Sequence, residues 1–120
     1  MADREGRWSW GVDRDWTEDV WIRVIGPFFA DYTRKTWGQI DAETTGPASR
    51  RRQKHTYYDF TMIKREAIRR LEALEIDDFA PDMFRFRISG LKRLYGFRVN
   101  PTFHFVWYDP THEIIQPGRN

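Results

Sequence analysis

The chain has 120 residues, a length that supports one hydrophobic core rather than two. It contains no cysteine, which excludes disulfides, thiolate chemistry and cysteine-ligated metals. Aromatic residues make up 17% of the chain, which indicates a folded protein, and charged residues make up 32% with a net charge of only +2. Because the charges nearly balance, nucleic-acid binding would require local clusters of basic residues.

Several function classes have no support in the sequence. It contains no Gly-rich phosphate loop, no H-E-x-x-H and no G-x-S-x-G, so nucleotide hydrolysis, zinc proteolysis and esterase chemistry are not indicated. No cofactor or metal site is predicted. No apolar run approaches the roughly 20 residues of a membrane span, and the N-terminus lacks the order of a secretion signal. These features favour a soluble cytoplasmic protein.

One domain, residues 1–120, is predicted, and it begins with a segment rich in tryptophan. Residues 1–16 are polar apart from Trp8, Trp10 and Trp16. Their spacing predicts a strap that lies on the body of the protein. The alternative is that these tryptophans anchor a partner protein, because Trp is common at interface hot spots.

Residues 17–75 are predicted to be mainly helical. Thr17 is a suitable helix N-cap, and apolar residues follow at helical spacing as far as Tyr32. Pro27 interrupts this pattern, so we expect a kink or a second helix that begins near it. The clearest helix spans roughly 61–75, with apolar residues on one side and basic residues on the other.

Residues 83–116 read as an antiparallel sheet, since aromatic and β-branched residues alternate with polar ones between turn-forming pairs. The predicted strands are 83–88, 93–99, 103–108 and 113–116. In the first strand the phenylalanines fall on one face and Arg85 and Arg87 on the other. The sequence therefore predicts an α+β fold, with N-terminal helices on the apolar face of a four-stranded antiparallel β-meander and an open basic face.

The open face of this predicted sheet offers a possible catalytic cluster. If the alternation is regular, Arg98, His104 and Tyr108 converge on one patch. Arg98 could bind a phosphate through two hydrogen bonds, and His104 could transfer a proton near neutral pH. An ordinary solvated strand face is the alternative interpretation.

His112 and Glu113, after the third strand, form a second candidate for acid–base chemistry. Two ligands are too few for a structural metal site. We prefer the alternative of an ordinary turn, in which Asp109 accepts hydrogen bonds from backbone amides.

A cluster of basic residues precedes the clearest helix: Arg50, Arg51, Arg52 and Lys54. Clustered cations bind phosphate backbones by releasing counterions. Tyr57 and Tyr58 follow directly and could stack on bases. Arg85 and Arg87 on the first strand would extend this nucleic-acid-binding surface. A solubilising loop explains the basic cluster equally well.

Three segments of the sheet carry a family resemblance: Ile88-Ser-Gly90, Leu94-Tyr-Gly-Phe-Arg-Val99 and Phe103-His-Phe-Val-Trp-Tyr108. They resemble the RelE/YoeB-like toxin superfamily of bacterial toxin–antitoxin systems. The likeness covers roughly the last third of the chain, which is also similar to a block found in small uncharacterised bacterial proteins.

The resemblance implies a cytoplasmic toxin whose sheet places basic and aromatic side chains against RNA or the ribosome, with an antitoxin-like protein as a partner. Such toxins cut mRNA by activating the ribose 2′-hydroxyl against the neighbouring phosphate. Arg98 would then hold the phosphate, and His104 would stand where the family often has Arg. Tyr108 would support the site, and His112 or Glu113 would transfer protons.

Gly96 departs from this family pattern, because it falls where a second Arg is often found. A fold of this kind does not by itself imply catalysis. The alternative to an endoribonuclease is therefore a non-catalytic module that binds nucleic acid or a protein.

Overall fold

A computed structural model of the chain describes residues 2–116 and confirms the α+β fold class. The α-helices are α1 (Glu18–Val20), α2 (Gly26–Tyr32), α3 (Trp37–Asp41) and α4 (Arg65–Ala73), with a π-helical turn at Trp21–Ile25. Three 3-10 turns lie at Ala48–Arg50, Phe60–Met62 and Asp77–Asp82. Every helix in residues 2–116 is too short or too polar to cross a membrane.

Within residues 2–116, six strands form two antiparallel sheets. The strands are β1 (Thr44–Thr45), β2 (Arg52–Gln53), β3 (Thr56–Tyr57), β4 (Met83–Ser89), β5 (Lys92–Val99) and β6 (Thr102–Asp109). β1 and β2 form a small hairpin, and the main sheet has the order β3-β4-β5-β6. The first three strands predicted for 83–108 are confirmed as β4, β5 and β6.

The fourth strand, predicted at 113–116, is wrong. The Asp109 carboxylate accepts hydrogen bonds from the backbone N–H groups of Glu113 and Ile114, which holds this segment in a loop after β6. Ile115 then forms only an isolated bridge with Ile63. The fourth place in the sheet is taken by β3, at the opposite edge.

A wide π-helical turn carries the chain past Pro27 into α2. The Thr17 side chain caps α1 by accepting a hydrogen bond from the Val20 N–H. The Gly26 N–H then donates to the Trp21 carbonyl, and a Cβ at Gly26 would lie 2.9 Å from that oxygen. In a regular α-helix the proline ring would clash with the carbonyl four residues earlier, and the wider turn relieves this clash. A second α-helix therefore begins beside Pro27, as predicted.

One face of the main sheet, here called the aromatic face, packs against α1, α2 and α3. Its buried core contains Ile25, Tyr32, Ile40, Phe84, Phe86, Leu94 and Tyr108. The Phe86 ring lies edge-on to Phe28 and Phe103, with centroid distances of 5.3 and 4.9 Å. Edge-to-face contacts of this kind add to the stabilisation that burial provides. The N-terminal helices thus cover the face on which they were predicted.

The opposite face, here called the arginine face after Arg85, Arg87 and Arg93, is covered rather than open as predicted. Its core includes Trp8, Ala67, Leu71, Met83, Tyr95, Phe97, Trp107 and Ile114. α4 is amphipathic, so its apolar side requires an apolar surface to pack against. With the aromatic face occupied by the N-terminal helices, this second face of the sheet provides that surface.

Asp3 joins the N-terminal segment to α4 and β6. Its carboxylate accepts hydrogen bonds from Arg70 Nε and Nη2 at 2.8 and 2.7 Å and from Trp107 Nε1 at 2.9 Å, and its N–H donates to the Val106 carbonyl. Burial by itself raises the pKa of Asp3, but the hydrogen bonds from Arg70 and Trp107 outweigh burial and lower it. Asp3 is therefore a buried, ionised anchor.

We expect Asp3→Ala to destabilise the protein by about 3 kcal/mol, because it leaves the Arg70 guanidinium and Trp107 N–H without their acceptor. Asp13→Ala is the control, since Asp13 pairs with Arg7 at the surface, where both side chains are more than half exposed. Its cost should stay below about 1 kcal/mol. Urea denaturation of the three proteins at neutral pH measures both values, and equal losses would contradict the anchoring role.

Candidate functional site

Arg98, predicted to hold a phosphate, is committed to an ion pair inside the protein. Its Nη1 and Nη2 donate to the two Asp41 carboxylate oxygens at 2.7 and 2.9 Å, and its Nε donates to Asn100 Oδ1 at 3.0 Å. The guanidinium lies 4.0 Å from the centre of the Trp37 ring, and the residue is only 7% exposed. Arg98 thus fastens the end of α3 to β5.

His104 lies on the opposite face of the sheet from Arg98, so the predicted convergence of these two side chains is wrong. The strand pairing sets Arg98 opposite Phe103 and Phe97 opposite His104. Opposite residues in a ladder share a face, which places Arg98 on the aromatic face and His104 on the arginine face. His104 is exposed there, in a shallow cavity beside Phe79.

The separation of Arg98 from His104 follows from the turn at Asn100-Pro101, which sets Arg98 opposite Phe103. A β-bulge further along β6 then separates His104 from Tyr108. Tyr95 pairs with Trp107, whereas the next residue, Gly96, pairs with Phe105, which leaves Val106 as an extra residue in β6. Past the extra residue the alternation is reversed, so side chains that would have faced one side of the sheet face the other. The regular alternation assumed from the sequence ends at this point.

The remaining residues predicted as catalytic lie in two other places. Tyr108 is on the aromatic face with Arg98, and burial, together with the charge of Asp109, raises its pKa. His112 and Glu113 lie in the loop after β6, where Glu113 Oε2 accepts a hydrogen bond from Lys64 Nζ at 3.0 Å. The five predicted residues therefore do not form one site.

The three N-terminal tryptophans pack into the protein and do not provide exposed anchors for a partner. Trp8 is 3% exposed, stacks on Trp10 with a centroid distance of 4.8 Å and meets the edge of Trp107 at 5.1 Å. Trp16 lies 5.3 Å from the Phe105 ring. Apolar contact with the body accounts for all three.

The basic hairpin, formed by β1, β2 and the loop between them, carries three of the predicted nucleic-acid-binding residues. Arg50, Arg51 and Arg52 are all exposed. Among residues 2–116, none of these three arginines takes part in an ion pair. Lys54 differs, because its Nζ lies 3.7 Å from the Glu43 carboxylate. The hairpin tip therefore carries three uncompensated positive charges.

Arg85 and Arg87, predicted as exposed phosphate contacts, lie on the covered arginine face. Arg85 is only 3% exposed, so its prediction as part of an open binding surface is wrong, whereas Arg87 is partly exposed. Arg87 pairs directly with Arg93, a residue that the sequence analysis did not select. The signal for Arg93 is its position two residues before Tyr95 on β5, which places both on the same face.

A cavity of about 300 Å³ opens between α2, α3 and the turn that joins β5 to β6. Its lining residues are Phe29, Tyr32, Thr33, Lys35, Trp37, Ile40, Phe86, Pro101 and Phe103. Beside it the Tyr32 hydroxyl donates to Glu43 Oε1 at 2.6 Å and lies 2.8 Å from His55 Nε2. Lys35 Nζ donates to the other Glu43 oxygen at 2.9 Å. These four polar residues are spread over residues 32–55, and the sequence pattern offers no reason to group them.

His55 is neutral in this network. Its Nδ1 accepts the Arg87 backbone N–H at 3.1 Å, so the neutral ring carries its proton on Nε2, facing Tyr32 and Glu43. Burial lowers the pKa of His55 to about 4. Burial by itself raises the pKa of Glu43, but hydrogen bonds from Tyr32 and Lys35 outweigh it and lower that pKa to about 2.

These pKa values bear on chemistry in the cavity. A general acid or base works best when its pKa lies near the operating pH. The pKa values of His55 and Glu43 both lie far below 7, whereas burial and the hydrogen bond to Glu43 raise the pKa of Tyr32. The network thus serves to hold α2 and the segment before β3 together. In the described part of the chain, no group of three or more His, Asp or Glu side chains is placed to bind a metal ion.

We expect His55 to destabilise the protein as the pH falls. Its folded pKa of about 4 lies below the unfolded value of 6.5, so below pH 6.5 the unfolded chain binds a proton that the folded protein excludes. The stabilisation is complete above pH 6.5 and is lost towards pH 4. Between pH 7 and 4.5 this residue should remove about 2 kcal/mol.

The measurement compares urea denaturation at pH 7 and 4.5 for the wild type, His55→Gln and His104→Gln. Gln at position 55 retains one donor and one acceptor without the titrating ring. The stability lost between pH 7 and 4.5 should therefore be about 2 kcal/mol smaller in His55→Gln than in the wild type. His104 is exposed, and its substitution should leave the pH-dependent loss intact. If His55→Gln and the wild type lose the same stability, His55 is not buried in its neutral form.

Comparison with known proteins finds no match among protein-family models, curated proteins or solved structures. The RelE/YoeB-like resemblance stays a prediction.

Proposed function

We propose that the protein is a non-catalytic module that binds single-stranded nucleic acid through the basic hairpin. The observation that carries this proposal is that Arg50, Arg51 and Arg52 are exposed and have no acidic partner in residues 2–116. A guanidinium donates two hydrogen bonds to a phosphate at once. Clustered cations also gain affinity when phosphates release their counterions.

Tyr57 supports a single-stranded ligand. It lies on β3, the edge strand that follows the hairpin, and it is 44% exposed. A basic track beside an exposed aromatic ring is the usual arrangement for single strands, because every base can stack on the ring. The Tyr57 ring is held in place by an edge-on contact with Phe84 at 5.1 Å.

The endoribonuclease hypothesis fits this geometry less well. Cleavage requires a base, an acid and a group that stabilises charge around one phosphate. Arg98 and Tyr108 lie on the aromatic face, whereas His104 lies on the other face of the sheet. The Nε, Nη1 and Nη2 groups of Arg98 are also already hydrogen-bonded to Asp41 and Asn100. A binding module requires none of these residues to meet.

We expect the triple variant Arg50→Gln/Arg51→Gln/Arg52→Gln to bind a fluorescent single-stranded 16-mer at least tenfold more weakly than the wild type at low salt. Each phosphate contact on a single strand contributes about 0.7 to the slope of log K against log salt, so three lost contacts should lower the slope by about 2. Fluorescence anisotropy over a series of salt concentrations measures both quantities, with RNA and DNA as parallel ligands.

The control variant is Arg34→Gln/Arg65→Gln/Arg69→Gln, which removes the same charge from exposed arginines elsewhere. It should retain most of the wild-type affinity and slope. Equal losses in both variants would show a general charge effect and reject the hairpin. Absence of binding by the wild type at low salt would reject the module, and cleavage of the RNA would restore the ribonuclease hypothesis.

A further inference from the structure

The arginine face holds three guanidinium groups on neighbouring strands. Arg87 on β4 is directly opposite Arg93 on β5, and Arg85, two residues earlier on β4, is opposite Tyr95. Opposite residues on neighbouring strands have Cβ atoms roughly 4.5–5.5 Å apart. Tyr58 lies beside them, with the Arg85 guanidinium 5.2 Å from the centre of its ring.

Hydrogen-bond donors in this group are buried without acceptors. Arg85 is 3% exposed and Arg93 is 2% exposed. In the described part of the chain, several buried polar atoms of this group have no hydrogen-bond partner. They are Nε and Nη1 of Arg85, Nε of Arg87, Nε of Arg93, and the hydroxyls of Tyr58 and Tyr95. Buried donors are rarely left unpaired, and a charged donor is the most costly to leave so.

The positive charge of the group is also uncompensated. Within residues 2–116, neither Arg85, Arg87 nor Arg93 forms an ion pair. Asp109 is the carboxylate opposite Arg93, but its oxygens accept the backbone N–H groups of the loop that follows β6. Burial, with the nearby charges of Arg87 and Arg85, lowers the pKa of Arg93 to about 10.

Like charges directly opposite each other in a sheet are destabilising, so this arrangement favours an anion between them. Tyr95 is buried and its pKa is well above its ordinary value, so its hydroxyl keeps its proton and can donate. Several guanidinium groups and two hydroxyls together suit an anion with several acceptor oxygens. Arg93 Nη1 is already satisfied, since it donates to the carbonyls of Gly90 and Lys92, and its Nε is left for a ligand.

We propose that Arg85, Arg87 and Arg93, together with Tyr58 and Tyr95, form a binding site for a small tetrahedral oxyanion of the phosphate class. Arg87 is partly exposed and marks the side from which the anion enters. This site is separate from the hairpin interface in the proposed function, because Arg85 and Arg93 are too deeply buried to contact a polynucleotide backbone. The anion is either free phosphate or the terminal phosphate of a larger molecule.

The test measures the thermal unfolding midpoint of the full chain as inorganic phosphate increases at constant ionic strength, with chloride as the balancing anion. We expect the midpoint of the wild type to rise with the logarithm of the phosphate concentration, by about 5–10 °C at roughly 10 to 100 times the dissociation constant. Arg87→Met, which changes the most exposed member of the site, should lose this response. Arg50→Gln/Arg51→Gln/Arg52→Gln should retain it.

Broadening of the phosphorus resonance of inorganic phosphate by the wild-type protein tests binding without any variant, so the proposal does not depend on Arg87→Met folding. A second arm compares a tetranucleotide that carries a 5′-phosphate with one that does not. If the hairpin variant binds the phosphorylated tetranucleotide more tightly and Arg87→Met shows no such preference, the ligand is a terminal phosphate. If the hairpin variant binds both tetranucleotides equally, the ligand is the free anion. The proposal is overturned if the phosphorus resonance is not broadened and phosphate raises the unfolding midpoint no more than chloride does. It is also overturned if Arg87→Met keeps the rise in the midpoint, or if the hairpin variant loses it.

Discussion

The β-bulge at Val106 determines which side chains meet on each face of the sheet. Gly96 makes it possible, because a Cβ at this position would overlap the His104 carbonyl oxygen and lie 2.6 Å from the Phe103 ring. On the turn side of the bulge His104 lies on the arginine face, whereas on the other side Tyr108 lies on the aromatic face, so the bulge separates His104 from Tyr108. Each hypothesis about chemistry on this sheet depends on that register, since a shift of one residue exchanges the two faces.

Because both faces of the sheet are covered, the arginines on its strands become interior charges, and their partners determine what they can do. Arg98 has Asp41, with which it forms a bidentate pair that excludes it from binding a ligand. Arg85 and Arg93 are at least as buried, but no carboxylate pairs with them among residues 2–116. A buried guanidinium without a partner is much less stable than a paired one. Arginine is therefore structural on the aromatic face and a candidate ligand-binding residue on the arginine face.

The fold class and the three long strands could be predicted because their signals are local. Alternation and turn pairs such as Ser89-Gly90 lie within a few consecutive residues. Residues 55–60 also read as a possible short strand, which β3 confirms. Its place at the edge of the main sheet and the cover over the arginine face depend on contacts between distant segments. For the bulge, Gly96 is the one local signal, since a glycine inside a strand pattern often marks a bulge or a close backbone approach. Sequence parity placed Arg85 on the correct face, but it could not show that this face is covered, because the covering segments are distant in the chain.

The two arginine groups differ in the physical basis of any binding they support. On the hairpin, Arg50–Arg52 remain hydrated, so an anion there gains little from desolvation and its attraction is screened by salt. On the arginine face, Arg85 and Arg93 have already lost their water on folding, so an anion that fits restores hydrogen bonds that salt cannot easily replace. Arg52 lies close enough to Arg85 to contribute, after the larger effect of burial, to the lowering of its pKa. The two groups are therefore electrostatically coupled through Arg52, so a change of charge at Arg52 alters the electrostatic potential at Arg85.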